Sequence, residues 1–343
     1  MRAVNNYYTK LFLVIMAAVI ISSILISGIL ITGNVNNIEA ITENGLRSSA
    51  EQKVTTYDIN IMRFHALSKT IANDIAIKDY FQRLHRGQED RKFYQNLRTD
   101  LEEEMKAYSG VLENAFFILD GIIYVDGIGG TSVGHDSSES EWYINVQNSR
   151  EHYLGKLKES PITGLPVMVS AYPLLDDDGQ LLSVFGLSIN LNGFSDTVIS
   201  NPEHSGENTI IADGNGTVIA ANEIDLIYNY NIAAELPGLY QYIEKHREGI
   251  TYYRKDGIPY IAAVIKSELG VTIIQSLPVS IYRDPMITSI IISVIILLAI
   301  LGGVAIVTFF IAKNITKPIH ILVNEFNQMA AGNYENELPG YLK

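Results

Sequence analysis

Two stretches of this chain carry no charged residue. The first runs from Leu11 to Ile38, between Lys10 and Glu39, and the second from Pro285 to Ala312, between Asp284 and Lys313. Each is built mainly of Ile, Leu, Val, Ala, Ser and Gly with no periodic polar face, so each must be surrounded by lipid or protein. A bilayer core is about 30 Å thick and a helix rises about 1.5 Å per residue, so about 20 residues cross it. The pattern therefore predicts transmembrane helices at 11–33 and 286–312. The first apolar run is longer than the ~7–15-residue core of a signal peptide, and no small-x-small site closes it, which predicts an uncleaved anchor.

Beyond the first span the apolar positions fall into a helical rhythm. Val35, Ile38, Ile41, Leu46, Ala50, Val54, Tyr57, Ile61, Phe64, Leu67, Ile71 and Ile75 recur mostly every three or four residues. A helix over 34–75 would be roughly 60 Å long, taller than one small domain, so it is expected to stand as a spine along two stacked modules. Further helical pattern covers 76–108. From 113 the rhythm shortens to strands. Ala115–Leu119 and Ile122–Val125 flank Asp120-Gly121, which predicts a hairpin with a type I′ turn. Pro166–Leu174 pairs with Leu181–Leu191 across an acidic turn. Asn208–Ala212 pairs with Thr217–Ala221, and Ile250–Arg254 with Pro259–Ile265. Val271–Leu277 adds a last strand. Antiparallel hairpins with flanking helices predict an α+β fold. The strands form two clusters, 113–191 and 208–277, so two similar modules in tandem are expected.

Charge supplies the orientation. The first ten residues hold Arg2 and Lys10 with no acid, and the segment after the second span opens with Lys313 and Lys317. The positive-inside rule places both termini in the cytoplasm of a two-span cell-membrane protein. Of the chain's net −13, the first ten residues contribute +2 and residues 313–343 balance to zero, so the intervening segment carries −15. An acidic outer domain argues against nucleic acid as a partner. Cysteine is absent, which removes disulfides, thiol nucleophiles and thiolate metal sites. The seven histidines are scattered singly. Asp176-Asp177-Asp178 reads as a solvated turn, and Asp213-Gly214-Asn215-Gly216 lacks the further oxygen ligands of a calcium loop. Neither a catalytic constellation, a metal site nor a cofactor site is expected.

The order of these elements resembles the double Cache family of bacterial sensor domains over roughly 34–284, with a distal module at 105–195 and a proximal one at 205–277. The resemblance rests on Glu141-Trp142-Tyr143, on Thr163-Gly164-Leu165-Pro166-Val167 followed by Pro173, and on Val184-Phe185-Gly186-Leu187-Ser188-Ile189. In the proximal module it rests on Ile211-Ala212-Asp213 with Gly216-Thr217-Val218-Ile219-Ala220. After the second span, Ile315-Thr316-Lys317-Pro318-Ile319, then Leu322, Phe326, Met329 and Gly332-Asn333-Tyr334, resembles the first half of a HAMP coupling domain, here 313–343. Its apolar stripe suits a dimeric four-helix bundle.

The resemblance implies a transmembrane receptor of the histidine-kinase or chemotaxis type. It would bind an extracytoplasmic small molecule, form a homodimer in the bilayer, and pass its signal through HAMP to an output domain beyond Lys343, with no enzyme activity in this segment. A membrane-anchored ectoenzyme or a structural, adhesive ectodomain is the alternative. The implied ligand-binding residues are Trp142 and Tyr143, with Tyr124, Tyr172, Ser140, Ser188 and His135 around them. The amino-acid-binding members carry an arginine where this chain has Ser140 and an aspartate where it has Ser188, so their carboxylate and ammonium anchors are missing. With Asp136, Glu139 and Glu141 close by, and Arg150 or Lys156 the nearest positive residues considered, a neutral or cationic ligand is expected.

Overall fold

The computed structural model describes residues 2–199, 206–311 and 317–331. It divides into a compact unit, Thr42–Ile281, and a second unit made of the terminal helical segments up to Ile41 and from Tyr282 onward.

In the terminal unit, helix α1 (Arg2–Ala72) begins, and α8 (Val279–Ile311) and α9 (Lys317–Ala330) follow. Two of these helices, α1 and α8, contain stretches long and apolar enough to cross a membrane. Their side chains point outward without cover: Leu25, Ile29, Ile295 and Leu298 are all exposed. On α9, Val323, Phe326 and Met329 are exposed. Ile315, Thr316, Gly332, Asn333 and Tyr334, which carry much of the HAMP resemblance, lie outside the described residues.

The compact unit starts on the last part of α1. That helix ends at Ala72 because Asp74 caps the next one, accepting from the Ala76 and Ile77 amides. The cap divides what the sequence pattern ran together into α1, α2 (Ile75–His85) and α3 (Arg91–Ala107). The distal module follows: β1 (Leu112–Leu119), β2 (Ile122–Asp126), α4 (Glu141–Ser149), β3 (Tyr153–Leu154), β4 (Lys158–Glu159), β5 (Pro166–Leu175) and β6 (Leu181–Asn190). Helix α5 (Leu191–Ile199) leads toward the proximal module. That module comprises β7 (Asn208–Ala212), β8 (Val218–Ala221), a 3-10 turn (Ile224–Leu226), α6 (Ile232–Glu235), α7 (Pro237–Lys245), β9 (Glu248–Lys255), β10 (Ile258–Lys266) and β11 (Thr272–Pro278).

Both sheets are antiparallel and share one plan. The distal order is β2-β1-β6-β5-β3, with β4 also on β5, and the proximal order is β8-β7-β11-β10-β9. In each, the first hairpin lies at one side and the last strand sits in the centre, so the fold is two tandem PAS-like modules. The Asp120-Gly121 and Asp256-Gly257 turns have φ of 50°, 86°, 53° and 79°, the left-handed pairs that a type I′ turn requires. The outer edge of each first hairpin is closed by the chain that follows it. On β2, the Ile123 amide donates to His135 O (3.0 Å) and the Gly134 amide to Ile123 O (2.8 Å). On β8, the Val218 amide donates to Tyr230 O (3.0 Å) and the Tyr228 amide to Val218 O (2.9 Å).

Strand alternation sends successive side chains of β1 to opposite faces. Phe117 packs with Phe81 of α2 and Phe185 of β6, at ring separations of 5.2 and 5.0 Å. Phe116 joins Trp142, Val146, Val169 and Val184 on the other face, under α4. The Phe116 ring lies over Gly186, where a Cβ would come within 2.3 Å of it. The end of α1 runs along both modules. Arg47 pairs with Glu248 at 3.3 Å and Asp58 accepts from Ser267 in the proximal module. Further along, Ser68 meets Ser170 at 3.2 Å in the distal module. Phe194 of α5 lodges against Tyr57 and Phe64 of α1.

Candidate functional site

Ser140 begins α4 with extended backbone and a side chain that makes no capping bond. Helical geometry then turns the next residues about 100° apart, so neighbours face different ways. Trp142 goes inward, only 3 % exposed, against Phe116. Tyr143 is buried in the same cluster, edge-on to Trp142, and also lines an open groove of about 390 Å³ with Asp120, Gln147 and Arg150.

Trp142 forms one wall of a small cleft of about 40 Å³. Phe116, Ile123, Val167 and Val169 give it an apolar floor. Its polar groups come from three places. Strand β1 contributes Glu113 and Asn114, β6 contributes Ser188, and the segment around β4 contributes Lys158 and Ser160. His135 and Ser137 line it from the chain that closes the edge of β2.

The hydrogen bonding of this cleft is incomplete. The Trp142 indole nitrogen and the Asn114 side-chain oxygen are buried without a partner among the described residues. An indole N–H only donates and an amide oxygen only accepts, so the lining residues hold one unpaired donor and one unpaired acceptor. Asn114 is held in that orientation: its Nδ2 donates to Ser132 Oγ (2.9 Å), which donates to Asp126 Oδ2 (2.7 Å). Asp126 is fully buried and also accepts from the Gly130 and Ser132 amides at 2.6 and 2.7 Å. Glu113 receives the Thr163 hydroxyl on Oε1 and the Ser188 hydroxyl on Oε2, both at 2.5 Å. The Lys158 ammonium lies 5.7 Å from the centre of the Trp142 ring, within cation–π reach. Burial pulls its pKa below the usual lysine value, while Glu113 and Glu141 act the other way.

The structure thus brings Trp142, Ser188 and His135 of the expected residues to one cleft. Tyr124 lines a separate, largely apolar groove of about 450 Å³ with Tyr94, and its hydroxyl meets that of Tyr80 at 2.6 Å. Tyr172 packs near His65 and His152. Ser140 lies at the start of α4 and lines none of these pockets. Asp136 and Glu139 are exposed, and Glu141 is turned to the Tyr153 hydroxyl and the Lys156 amide. The expectation that no positive group stands near Trp142 is corrected by Lys158, which neither Arg150 nor Lys156 replaces. Lys158, Glu113 and Asn114 were not picked out from the sequence, because no local pattern joins residues 45 apart on different strands.

No protein-family model matches this chain, and no curated protein sequence matches it. Solved structures do. The ligand-binding domain of the Campylobacter jejuni chemoreceptor Tlp3, in complex with 4-methylisoleucine, aligns with a TM-score of 0.56 at 15 % identity, over 72 % of this chain and 95 % of that one. The extracellular domain of rpHK1S-Z16, assigned as a histidine kinase, aligns at 0.56 and 14 %, over 70 % and 95 %. The compact unit has a double Cache fold. A third structure of this fold, the ligand-binding domain of the Pseudomonas aeruginosa PAO1 amino acid chemoreceptor PctB with L-Arg, aligns at 0.53 and 15 %, over 70 % and 96 %. In this chain's double Cache unit the cleft beside Trp142 lies in the distal module, between α4 and the sheet.

Proposed function

We propose that this chain is a transmembrane receptor whose extracytoplasmic double Cache domain senses a small molecule in the distal cleft. The observation that carries the reading is a cleft lined by Trp142 and Asn114, whose Nε1 and Oδ1 atoms are buried without a partner among the described residues, beside a half-buried lysine. Leaving such groups unpaired costs about 1–3 kcal/mol each, and a bound small molecule would recover that. The solved relatives include domains holding 4-methylisoleucine and L-Arg. In this reading the sensor domain spans 34–284, both termini are cytoplasmic, and 313–343 is a HAMP segment that relays the signal to an output domain.

The receptor works as a parallel homodimer. Ile59 and Met62 are exposed on the α1 face that carries Thr55 and Ala66, and Phe326 is exposed on α9. A ligand shifts such a pair only by binding one signalling state better than the other.

The test is a thermal-shift screen of the full chain in nanodiscs against a library of small metabolites. A ligand at a hundredfold excess over Kd stabilises by about 2.7 kcal/mol, and Trp142→Ala should erase the shift. A library that never stabilises the chain, or a shift that survives Trp142→Ala, refutes the site. Because the chain has no cysteine, single cysteines at Ile59, Ile319 or Phe326 report dimer contacts directly, and their failure to crosslink across a full scan of 315–330 refutes the dimer.

A further inference from the structure

We infer that the groove beside Tyr124 is a second binding site, one that takes an organic ammonium ion with an apolar body. It does not rest on the cleft being the sensor site. Strand alternation separates the two along β2. Ile123 turns toward Trp142 and the cleft under α4. Tyr124 turns to the other face, against Tyr80 and Phe81 of α2 and Tyr94 of α3. The groove there measures about 450 Å³, against about 40 Å³ for the cleft, and falls in the usual range of sites for small organic molecules.

The lining has one chemical bias. Leu119, Ile122 and Val133 give an apolar wall, and Ile122 and Val133 are exposed. Among the lining residues Glu89 alone is charged. It stands in the turn between α2 and α3, where its neighbour Asp90 is already committed. Asp90 caps α3 through the Lys92 and Phe93 amides and pairs with Arg83 at 3.7 Å. Glu89 has no hydrogen-bond or ion-pair partner among the described residues. Burial is the main reason that the Tyr124 hydroxyl stands above its ordinary pKa, and the Glu89 charge adds to it, so the carboxylate's field reaches that ring. The half-buried rings of Tyr94 and Tyr124 lie 5.4 Å apart and nearly perpendicular, at 84°. The faces of such rings attract a cation. A cationic head would therefore gain from Glu89 and the rings while its hydrocarbon covers the wall. A neutral molecule would use the wall alone, and an anion would be repelled by Glu89. Gly134 lines this groove and His135 the cleft, so the two sites share the segment that closes the edge of β2.

Four probes of similar body separate these cases: phenethylammonium, benzyltrimethylammonium, 2-phenylethanol and 3-phenylpropionate. Each is titrated calorimetrically into the full chain in phosphatidylcholine nanodiscs, with empty nanodiscs as the blank for partition into lipid. The expected result is saturable binding of either cation, roughly tenfold tighter than the alcohol, with the acid weaker still. Glu89→Gln should weaken the cation about threefold or more and leave the alcohol unchanged. Tyr94→Leu should weaken it by a similar factor, and Tyr94→Phe, which keeps the ring, should not. An alcohol that binds as tightly as the cations overturns the charge selection. Heat no greater than the blank with both cations overturns the site. Cation binding that survives Glu89→Gln unchanged places the ligand elsewhere and overturns it too. Should Tyr94→Leu melt early, Glu89→Gln, at an exposed position, decides the proposal.

Discussion

Acid should loosen the grip of α1 on the distal module, and one histidine should account for a measurable part of the loss. His152 Nε2 lies 2.9 Å from Ser170 Oγ, which in turn meets Ser68 Oγ of α1. The groups facing His152 are His65 and Ser68 from α1 and Ser170 and Tyr172 from β5. The His65 ring stands perpendicular to it at 4.1 Å. Burial, and after it the neighbouring His65, pulls the His152 pKa down from 6.5 to about 4. The sign follows. The unfolded chain takes this proton near pH 6.5 but the folded one resists it until about pH 4. Stability from the neutral ring is therefore complete above pH 6.5 and is lost as pH falls through that window. Between pH 7.5 and 5.0 a fully shielded ring would lose about 2 kcal/mol, and solvent screening of a half-buried one reduces this to about 1 kcal/mol. For a unit of this size that is about 2–4 °C in melting temperature. Thermal unfolding of the full chain in nanodiscs, followed by circular dichroism at both pH values, measures it. His152→Gln keeps a polar partner for Ser170 and removes the titration. The wild type should lose about 2–4 °C more than the variant on acidification. Equal losses in the two would refute the reasoning.

Three further outcomes test the packing. Gly193→Ala would place a Cβ 1.9 Å from the Gly110 carbonyl oxygen, so backbone must move; a loss of about 3 kcal/mol or more is expected in thermal or urea unfolding. Phe194→Ala removes a fully buried ring wedged against Tyr57 and Phe64, and should cost about 3–5 kcal/mol in the same assay. Asp126→Asn keeps the shape but turns an acceptor of several hydrogen bonds into a part-donor; a loss of about 1–3 kcal/mol is expected, together with faster amide exchange over 127–135.

Most of the architecture could be read from local pattern. Asp120-Gly121 and Asp256-Gly257 declare their hairpins because few other pairs tolerate positive φ at both positions. The uncharged runs declare candidate spans because lipid admits so few polar groups. The break between α2 and α3 was less visible, since one capping aspartate, Asp90, inside a helical rhythm looks like any solvated residue. Helix α4 was also hidden: nine residues leave little room for a period to show. That concealed its effect of burying the adjacent Trp142 and Tyr143 in one cluster while only Trp142 lines the small cleft. The cleft itself was half legible. Trp142, Ser188 and His135 came from a family resemblance, while Lys158, Glu113 and Asn114 meet only after three separate segments fold together.

The closed edges of β2 and β8 have a further consequence. An unpaired strand edge is a template for another copy's strand. Here the segment that seals β2 is also one wall of the cleft, through His135 and Ser137. Were that wall to swing aside to admit a molecule, it would strip the seal from the sheet and invite polymerisation. The opposite wall carries no such risk. Residues 160–164 close on themselves through the Gly164 amide and Ser160 carbonyl (2.9 Å), and reach Glu113 through the Thr163 hydroxyl. Traffic through that side would leave the seal on β2 in place.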